Sequence, residues 1–272
     1  MSRLDVTRVR SALTPDATSA LEKLEAFSSI ASTNTYLLTQ SPPPVDRYRV
    51  AVADHQTSGR GRHDRRWLSA PGAGLYLSFA YTFDAQVEQL SSLTLAIGVG
   101  AVNALRSLGV AGVSLKWPND IVALDGKLGG ILTEVRAGRE TGATVVTGIG
   151  INIDLPGHVD FGAESDWAHR TVDLKSIVDE QPEREILAAA LVDSLSSTCR
   201  QFGEEGLAGF QDDWRRYDWL LGRDITVDMP DKQVTGRAAG IDTDGALLLE
   251  TPAGEIRIIS GSIVMAGAQG TQ

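Results

Sequence analysis

The chain changes character near Leu221, and this change limits the folds that it can adopt. From Asp224 onward, short runs of strand-forming residues alternate with glycine-containing turns, and the runs read ITVDM, VTGRAAGID, GALLLET, EIRIIS and SIVMA. That pattern predicts a small β-barrel of about 45 residues. Upstream, helical and strand patterns are mixed over a longer stretch, which predicts an α+β body built on a mixed sheet. We therefore predict a large domain over residues 1–221 and a small β-domain over 222–272.

Alternating, strand-rich segments of the body predict the strands of its sheet. They lie at 48–53, 74–81, 113–117, 121–124, 128–136 and 144–153, with a hairpin turn at Asp125-Gly126. Helical spacing predicts helices at 85–108, 173–180, 183–203 and 206–218, the first of them capped by Asp84. A shorter helix follows a hydroxyl or amide cap at Ser32–Asn34, and residues 1–15 look loose.

Composition excludes several classes of protein. No segment is long and apolar enough for a transmembrane helix, and the N-terminus lacks the apolar core of a secretory signal. Cys199, the single cysteine, is expected to be a half-buried filler in a reducing cytoplasm. The four histidines lack the spacing of metal ligands, so we expect no structural zinc. The net charge of −10 argues against general binding of nucleic acid.

Positive charge is nevertheless concentrated in one short segment, residues 59–67, which reads GRGRHDRRW. Four arginines there face a single carboxylate, Asp64. Because Gly59 and Gly61 are costly to order and the guanidinium groups repel each other, the segment is expected not to pack on itself. We predict a loop that is mobile when empty and ordered over a bound anion. A solvated basic turn is the alternative.

A second cluster, Lys116-Trp117-Pro118-Asn119-Asp120, follows an apolar strand. Pro118 makes the turn rigid, and Asn119 and Asp120 place polar groups at its tip. Lys116 at the strand end offers a compact charge for a carboxylate or phosphate, although a strand-end lysine can also reach solvent without binding anything.

Two glycine-containing segments complete the set of motifs. Residues 125–134 read DGKLGGILTE, and residues 148–153 read GIGINI. Glycines in strands let a ligand or a backbone come close, but they serve packing as often as binding. Neither segment is specific when taken alone.

The order of these motifs is far more specific than any one of them. Ser32-Thr33-Asn34, then Gln56 with GRGR…W, then KWPND, KLGGIL.E and GIGIN together resemble the biotin protein ligase (biotin–[acetyl-CoA-carboxylase] ligase) family. The match runs from about Ser32 to Ile153, and the small C-terminal β-domain also fits. The resemblance implies a mixed-sheet catalytic domain of the biotin/lipoate ligase type, followed by an SH3-like β-barrel.

The resemblance also implies a reaction in two steps. Biotin attacks the α-phosphate of ATP, which enters with Mg²⁺, to give biotinyl-5′-AMP and pyrophosphate. A lysine of a biotin carboxyl carrier domain of an acyl-CoA carboxylase then takes the biotinyl group, and AMP leaves. Two anions must meet in this chemistry, so cations have to be placed before the reaction begins.

Site residues follow from the resemblance position by position. Lys116 and Arg62 would face the carboxylate and the α-phosphate, and Asp120 would orient or deprotonate the acceptor lysine. Trp67 would close the loop over the site, and Trp167 would stack on adenine beside Asn152. The full set of expected binding residues is Ser32, Thr33, Asn34, Gln56, Gly59, Arg60, Gly61, Arg62, Trp67, Lys116, Asn119, Lys127, Gly129, Gly130, Ile131, Asn152 and Trp167, with no metal ligand assigned.

Two features depart from the family pattern. His63-Asp64 stands where members commonly have an Arg-Gly pair, which changes the charge and the stiffness of the loop. In addition, only 31 residues precede Ser32, too few for the winged helix-turn-helix that some members carry. We expect a ligase without a DNA-binding repressor role, acting as a monomer or weak homodimer away from membranes.

Three other functions stay open at this point. A lipoate-type ligase shares the chemistry and the body fold, but it lacks the arginine-rich loop in this form. A non-catalytic nucleotide- or anion-binding module would bind ligands without turnover. A nucleic-acid binder is disfavoured by the acidic net charge and by the lack of aromatic residues near the loop other than Trp67.

Overall fold

The computed structural model describes residues 4–85, 87–137, 142–156 and 171–265. A seven-stranded sheet forms the centre of the body, in the order β1-β2-β3-β7-β6-β5-β4. Its strands are β1 (Leu21–Phe27), β2 (Tyr48–Ala53), β3 (Gly74–Phe83), β4 (Ser114–Lys116), β5 (Asp120–Ala123), β6 (Gly126–Ala137) and β7 (Ala143–Asn152). Strands β1 and β2 are parallel and all other neighbours are antiparallel, which confirms the predicted mixed sheet.

Helices cover both faces of this sheet. Two long helices, α4 (Leu93–Ser107) and α5 (Arg184–Glu205), pack together and bury the apolar side chains of one face. The short helix α3 (Thr33–Thr39) lies on the opposite face, where Leu37 meets Ala51, Ala80 and Val146. Burial on both faces explains why β3 is buried along its whole length and reads as a nearly continuous apolar run.

Two helices form close to the N-terminus, so the expectation of a loose segment over 1–15 is wrong for residues 4–15, the part that the structure describes. Helix α1 (Val6–Ser11) begins after Asp5, whose carboxylate accepts a hydrogen bond from the Thr7 amide, and α2 (Pro15–Ala20) begins after Thr14. Contacts with α5 hold them, because the Thr14 amide donates to the Asp193 carboxylate at 3.0 Å. These long-range partners carry no local signal in the sequence.

Two helix predictions need correction. The helix expected over 85–108 begins only at Leu93, after Ser92 rather than Asp84, and a 3-10 turn at Val87–Leu90 precedes it. The helix expected over 173–180 is reduced to a 3-10 turn at Leu174–Ser176, closed by a capping box from Asp173. The segment predicted as a helix over 206–218 consists of the 3-10 turn Gly206–Phe210 and helix α6 (Gln211–Tyr217).

The β5–β6 hairpin turns one residue earlier than predicted. Ala123 pairs with Gly126, so the two loop residues are Leu124 and Asp125, with φ of 48° and 55°. Positive φ at both positions is the geometry of a type I′ turn, in which aspartate is tolerated and leucine is unusual. The side chain of Leu124 is correspondingly exposed.

The C-terminal part forms a separate antiparallel sheet of five strands, in the order β11-β10-β9-β8-β12. The strands are β8 (Asp224–Met229), β9 (Lys232–Ile241), β10 (Leu247–Thr251), β11 (Gly254–Ile258) and β12 (Ser262–Met265). Each coincides closely with one of the short runs read from the sequence, and the predicted α+β class is confirmed. The domain boundary near residue 221 stays a prediction.

One turn of the small sheet docks against the body. Trp117, which is buried, donates from Nε1 to the carbonyl oxygen of Gly245 at 3.0 Å. Glycine is favoured at position 245, because φ is 87° there and a Cβ would lie 2.6 Å from the side chain of Leu95 of α4. Among the described residues, no helix combines the length and the apolar character needed to cross a bilayer.

Candidate functional site

A cavity lies between the sheet of the body and the arginine-rich segment 59–67. It has a volume of about 240 Å³. Most residues predicted for binding or catalysis line it: Ser32, Thr33, Asn34, Gln56, Arg60, Gly61, Arg62, Trp67, Lys116, Asn119, Asp120, Lys127, Gly130, Ile131 and Asn152. Motifs that are far apart in the chain therefore share one concave surface.

The floor of the cavity is a strip of glycines on adjacent strands. Gly130 of β6 lies directly opposite Gly150 of β7. Gly148, two residues before Gly150, lies on the same face of β7. The indole of Trp67 covers the first pair, because a Cβ would come within 2.9 Å of it at Gly130 and 2.6 Å at Gly150. At Gly148 a Cβ would overlap the amide oxygen of Asn34. Glycine is therefore required where Trp67 and Asn34 lie against these two strands.

One end of the cavity is polar and uncharged. Helix α3 begins there with Ser32 as its N-cap, and the side chains of Ser32, Thr33 and Asn34 are all buried. The Thr33 amide and hydroxyl both donate to Gln56 Oε1, at 2.8 and 3.1 Å. Buried Ser78 of β3 lies beneath, 2.7 Å from Thr33 Oγ1 and 2.6 Å from Asn34 Oδ1. This end is a preorganised set of hydrogen-bonding groups.

Glu134 links this polar end to the loop. Asn34 Nδ2 donates to Glu134 Oε2 at 3.0 Å, and Arg60 Nη1 lies 2.8 Å from Glu134 Oε1. The glutamate closes the KLGGIL.E motif, for which the sequence suggested no specific role. Its two oxygens therefore join the Ser32–Asn34 motif and the arginine-rich segment to the KLGGIL.E motif on β6.

The arginine-rich segment folds into a small hairpin of its own, contrary to the expectation that it cannot pack on itself. The Gly61 amide donates to the Arg65 carbonyl at 2.7 Å, and the Trp67 amide donates to the Gly59 carbonyl at 2.9 Å. Between them runs a 3-10 turn, Arg62–Asp64, in which His63 has a φ of 53°. Backbone hydrogen bonds compensate for the glycines, which local composition does not reveal. The predicted mobility of an empty loop stays a prediction.

Cations gather at the other end of the cavity around Asp120. Lys127 Nζ lies 2.6 Å from Asp120 Oδ1 and 5.5 Å from the centre of the Trp67 ring. Lys116 is only 4% exposed, and its burial lowers its pKa to about 8, while Asp120 acts in the opposite direction. Burial also lowers the pKa of Arg62, whose Nη1 lies 3.4 Å from Asn119 Oδ1. One carboxylate thus stands among three cations, so this end carries a positive excess suited to anions.

Asn119 and Asn152 use their amide groups to hold the backbone around the site. Asn119 Nδ2 donates to the Ile131 carbonyl at 2.7 Å, and the Ile131 amide donates back to the Asn119 carbonyl at 2.9 Å. Asn152 Nδ2 donates to the carbonyls of Lys127 and Val172, at 3.2 and 3.1 Å. Both residues line the cavity, and both shape it.

Two of the predicted residues that the structure describes do not lie in the cavity wall. Gly129 faces away from Gly130, and a Cβ there would meet the Gly150 carbonyl oxygen at 2.6 Å, because successive residues of a strand point to opposite faces. Gly59 lies at the base of the loop hairpin, where a Cβ would meet the Trp67 carbonyl oxygen at 2.5 Å. Trp167 lies outside the described residues.

The cavity also includes residues that the sequence did not predict. Gly261, Ser262 and Ile263 at the start of β12 reach it from the C-terminal sheet, and Arg65, Arg66 and Tyr76 join from the body. The arginines were visible as part of the basic segment. The barrel residues carry no local signal, since only docking of the two sheets brings them near. Among the described residues, no group of three or more His, Cys, Asp or Glu side chains is arranged to hold a metal ion.

Comparison with known proteins adds to this geometry. Residues 26–152 match the Biotin/lipoate A/B protein ligase family, and residues 220–265 match the Biotin protein ligase C terminal domain. The chain is 34% identical over 250 residues to the Bifunctional ligase/repressor BirA of Salmonella typhimurium, covering 91% of this chain and 73% of the relative. It is 32% identical over 257 residues to the Biotin--[acetyl-CoA-carboxylase] ligase of Mycobacterium tuberculosis, covering 91% of each.

A solved structure agrees with these relatives. The biotin protein ligase of Aquifex aeolicus in complex with biotin and ATP has a TM-score of 0.71 and 26% sequence identity. The similarity covers 90% of this chain and 97% of that one. It therefore spans both sheets.

Proposed function

Because this chain belongs to the biotin protein ligase family, we propose that it is an ATP-dependent ligase that attaches biotin to a lysine of a biotin carboxyl carrier domain. One observation carries the proposal. A single cavity joins a buried, uncharged hydrogen-bonding end at Ser32–Asn34 to a cation-rich end at Lys116 and Lys127, across a floor of glycines. A small acid with a neutral polar head group and a charged tail matches that order of environments.

In the first step, a carboxylate oxygen of biotin attacks the α-phosphate of ATP, and the bond to pyrophosphate breaks. Both reactants are anions, so their approach is unfavourable until cations offset the repulsion. Lys116, Arg62 and Lys127 are held in place before any ligand arrives, and this preorganisation is what stabilises charge in a transition state. Mg²⁺ bound to ATP would screen the charge of its phosphates.

In the second step, the ε-amine of the acceptor lysine attacks the activated carbonyl, the amine loses a proton, and AMP leaves. Asp120 is our candidate for orienting that amine, since its carboxylate lies at the cation-rich end and is fixed by Lys127 at 2.6 Å. Trp67 and the hairpin of segment 59–67 would cover the mixed anhydride and exclude water from it.

The polar end fits the head group of biotin, which carries both donors and acceptors. Ser32, Thr33, Asn34 and Gln56 supply hydroxyl and amide groups whose orientation is set by their mutual hydrogen bonds. We propose that Gly130 and Ile131 pass beside the chain of the ligand, with Asn152 nearer the nucleotide, and that Trp167 stacks on adenine.

The test is acceptor labelling in a defined mixture. The protein is incubated with biotin, Mg·ATP and a carboxyl carrier domain, and the acceptor mass is expected to rise by one biotinyl group. Lys116→Ala is expected to nearly abolish the increase, whereas Arg62→Ala is expected to let biotinyl-AMP leak into solution. Labelling by Lys116→Ala at the wild-type rate would show that the role given to Lys116 is wrong.

Substrate choice is checked by pyrophosphate release with each candidate acid. Release with biotin and not with lipoate supports the proposal, while release with lipoate alone would identify a lipoate-type ligase instead. Ligand binding without release would identify a non-catalytic nucleotide-binding module.

We also propose that the protein has no repressor role and works in the cytoplasm, as a monomer or weak homodimer. The net charge of −10 supports the first point, because it opposes approach to DNA. Retention on a specific operator at physiological salt would contradict it. Sedimentation with and without biotin and ATP measures the oligomeric state.

A further inference from the structure

The loop that carries the arginine-rich segment leaves the sheet at Asp54 and returns at Gly74. These two feet are neighbours, because Ala53 at the end of β2 pairs with Tyr76 near the start of β3. Between them, the Gly72 amide donates to the Asp54 carbonyl at 3.3 Å, and the Gln56 amide donates to Ser69 Oγ at 2.9 Å. The loop therefore has a closed neck below the hairpin that covers the cavity.

A single side chain from a distant element joins both feet. Arg184 stands in the first turn of α5, and its Nη1 lies 2.8 Å from Asp54 Oδ1. Its Nη2 donates to the Gly74 carbonyl at 2.9 Å. The side chains of Arg184 and Asp54 are only 19% and 12% exposed, so water weakens this pair far less than it weakens a surface ion pair.

The guanidinium group suits this position for a geometric reason. Its nitrogens diverge as a rigid fork, so one group can reach a carboxylate and a carbonyl at the same time, which a lysine ammonium on a flexible stem does less well. Helix α5 is also a firm reference, because Leu187 and Leu191, one and two turns further on, are fully buried. The fork thus ties the loop to the rigid core of the body.

We propose that Arg184 is a positioning residue, which holds the neck of the loop closed so that Trp67 and the arginines stay over the cavity. Arg184 does not line the cavity, and its effect passes through Asp54 and Gly74. The inference rests on the proposed ligase function, and it concerns retention of the acyl-adenylate rather than its formation. Loosening the neck lets Trp67 and the hairpin of segment 59–67 move away from the cavity, so that the intermediate is released.

The experiment measures formation and release of biotinyl-AMP separately, in single-turnover and dilution assays. Arg184→Gln is expected to speed release by about tenfold, in keeping with the sensitivity of reactions to small displacements, while the Kd for biotin changes little. Arg8→Gln is the matched control, because it removes an exposed pair with Glu183 at the start of the same helix. It is expected to release the intermediate at the wild-type rate.

A double-mutant cycle separates positioning from simple loss of stability. Asp54→Asn is expected to speed release as Arg184→Gln does, and the double variant is expected to add little to either one. Equal release by Arg184→Gln and Arg8→Gln would overturn the inference. Should Arg184→Gln fail to fold, Arg184→Lys decides, since it keeps the charge and loses the fork; wild-type retention by Arg184→Lys would overturn it too. A wild-type protein that forms no biotinyl-AMP would instead overturn the proposed function.

Discussion

Lys116 has the most unusual environment of any charged residue described at the site. It ends strand β4 and is almost completely buried. The positive charges of Lys127 and Arg65 repel its own and help to lower its pKa. Desolvation is the largest cause of its lowered pKa, and Asp120 only partly offsets it. Its charge is therefore less favourable in the empty site than in water, and an anion that binds beside it would stabilise that charge.

This environment predicts a pH dependence for the first step. Because the charged amine is the form that attracts an anion, kcat/KM for biotin should fall as the pH rises through about 8, by about tenfold per pH unit at the high end. Lys116→Arg should remove this decline, since a guanidinium group stays charged. Lys116→Met should lower kcat/KM by about 10²–10³ at pH 7. Initial rates of pyrophosphate release between pH 6 and 9.5 measure this, and an unchanged decline in Lys116→Arg would contradict it.

At the scale of elements, the decisive feature is the pairing of β6 with β7. Gly130 and Gly150 are cross-strand neighbours, so their missing side chains leave a flat surface on which the Trp67 ring lies. Neither strand makes this surface alone. The register brings the two glycines together, and the loop hairpin brings the indole onto them.

Gly150→Ala tests this arrangement. Its Cβ would come within 2.6 Å of the Trp67 ring, so the ring and the loop have to move. We expect acceptor labelling to fall at least about tenfold while the thermal midpoint drops only slightly, because the displaced loop is not part of the core. Tryptophan fluorescence would report the moved ring.

Gly203→Ala is the matched control for this change. It makes the same substitution on the exposed side of α5, where the nearest atom, of Phe83, is 3.7 Å from the new Cβ. It should leave activity unchanged and raise stability by about 0.5–1 kcal/mol, since alanine favours helix. Equal activity of the two variants would contradict the role given to the glycine floor.

For the whole molecule, the question is how the C-terminal sheet contributes to a cavity in the body. The Trp117–Gly245 hydrogen bond fixes the small sheet to the end of β4, next to Lys116. Gly261, Ser262 and Ile263 then reach the cavity. The Lys116–Asp120 motif and the C-terminal sheet are therefore held together beside the cavity.

A pair of glycine variants tests this coupling. Gly245 and Gly254 both have positive φ, of 87° and 116°, so alanine strains the backbone at either position. Only at Gly245 does the new Cβ also meet the body, 2.6 Å from Leu95. We expect both variants to lose about 1 kcal/mol or more of unfolding free energy, and Gly245→Ala alone to lose most of its labelling activity. Equal activities would mean that docking of the barrel does not matter for catalysis.

The burial of Asp218 predicts that the free energy of unfolding depends on pH. Burial raises its pKa to about 6, although the Leu220 amide donates to its carboxylate at 2.9 Å. A carboxyl group whose pKa is raised by folding opposes folding when ionised, so the cost grows as the pH rises from about 4 to about 6 and is constant above. The difference in unfolding free energy between Asp218→Asn and the wild type should therefore shift in favour of the variant by roughly 1–2 kcal/mol as the pH rises from 5 to 7.5. Urea unfolding at several pH values measures this, and a constant difference would contradict it.

The sequence by itself predicted most of the strands and most of the residues that line the cavity, while their chemical roles stay predictions. Alternation along a strand, turn residues and the order of the five motifs are properties of neighbouring residues, so they can be read without the fold. Sequence patterns failed at the described residues 4–15 and 87–92, where contacts with distant parts of the chain decide where helices begin.

Only the tertiary structure decided which groups meet. Gly129 and Gly130 are adjacent in sequence, yet strand geometry sends one to the core and the other to the cavity. Arg184 holds a loop that begins at Asp54, and Gly261 reaches a cavity built around Lys116. Contacts between residues this far apart form only when the sheets and helices pack together. The burial of apolar surface drives that packing, and because it is not directional, local spacing in the sequence does not reveal which residues will meet.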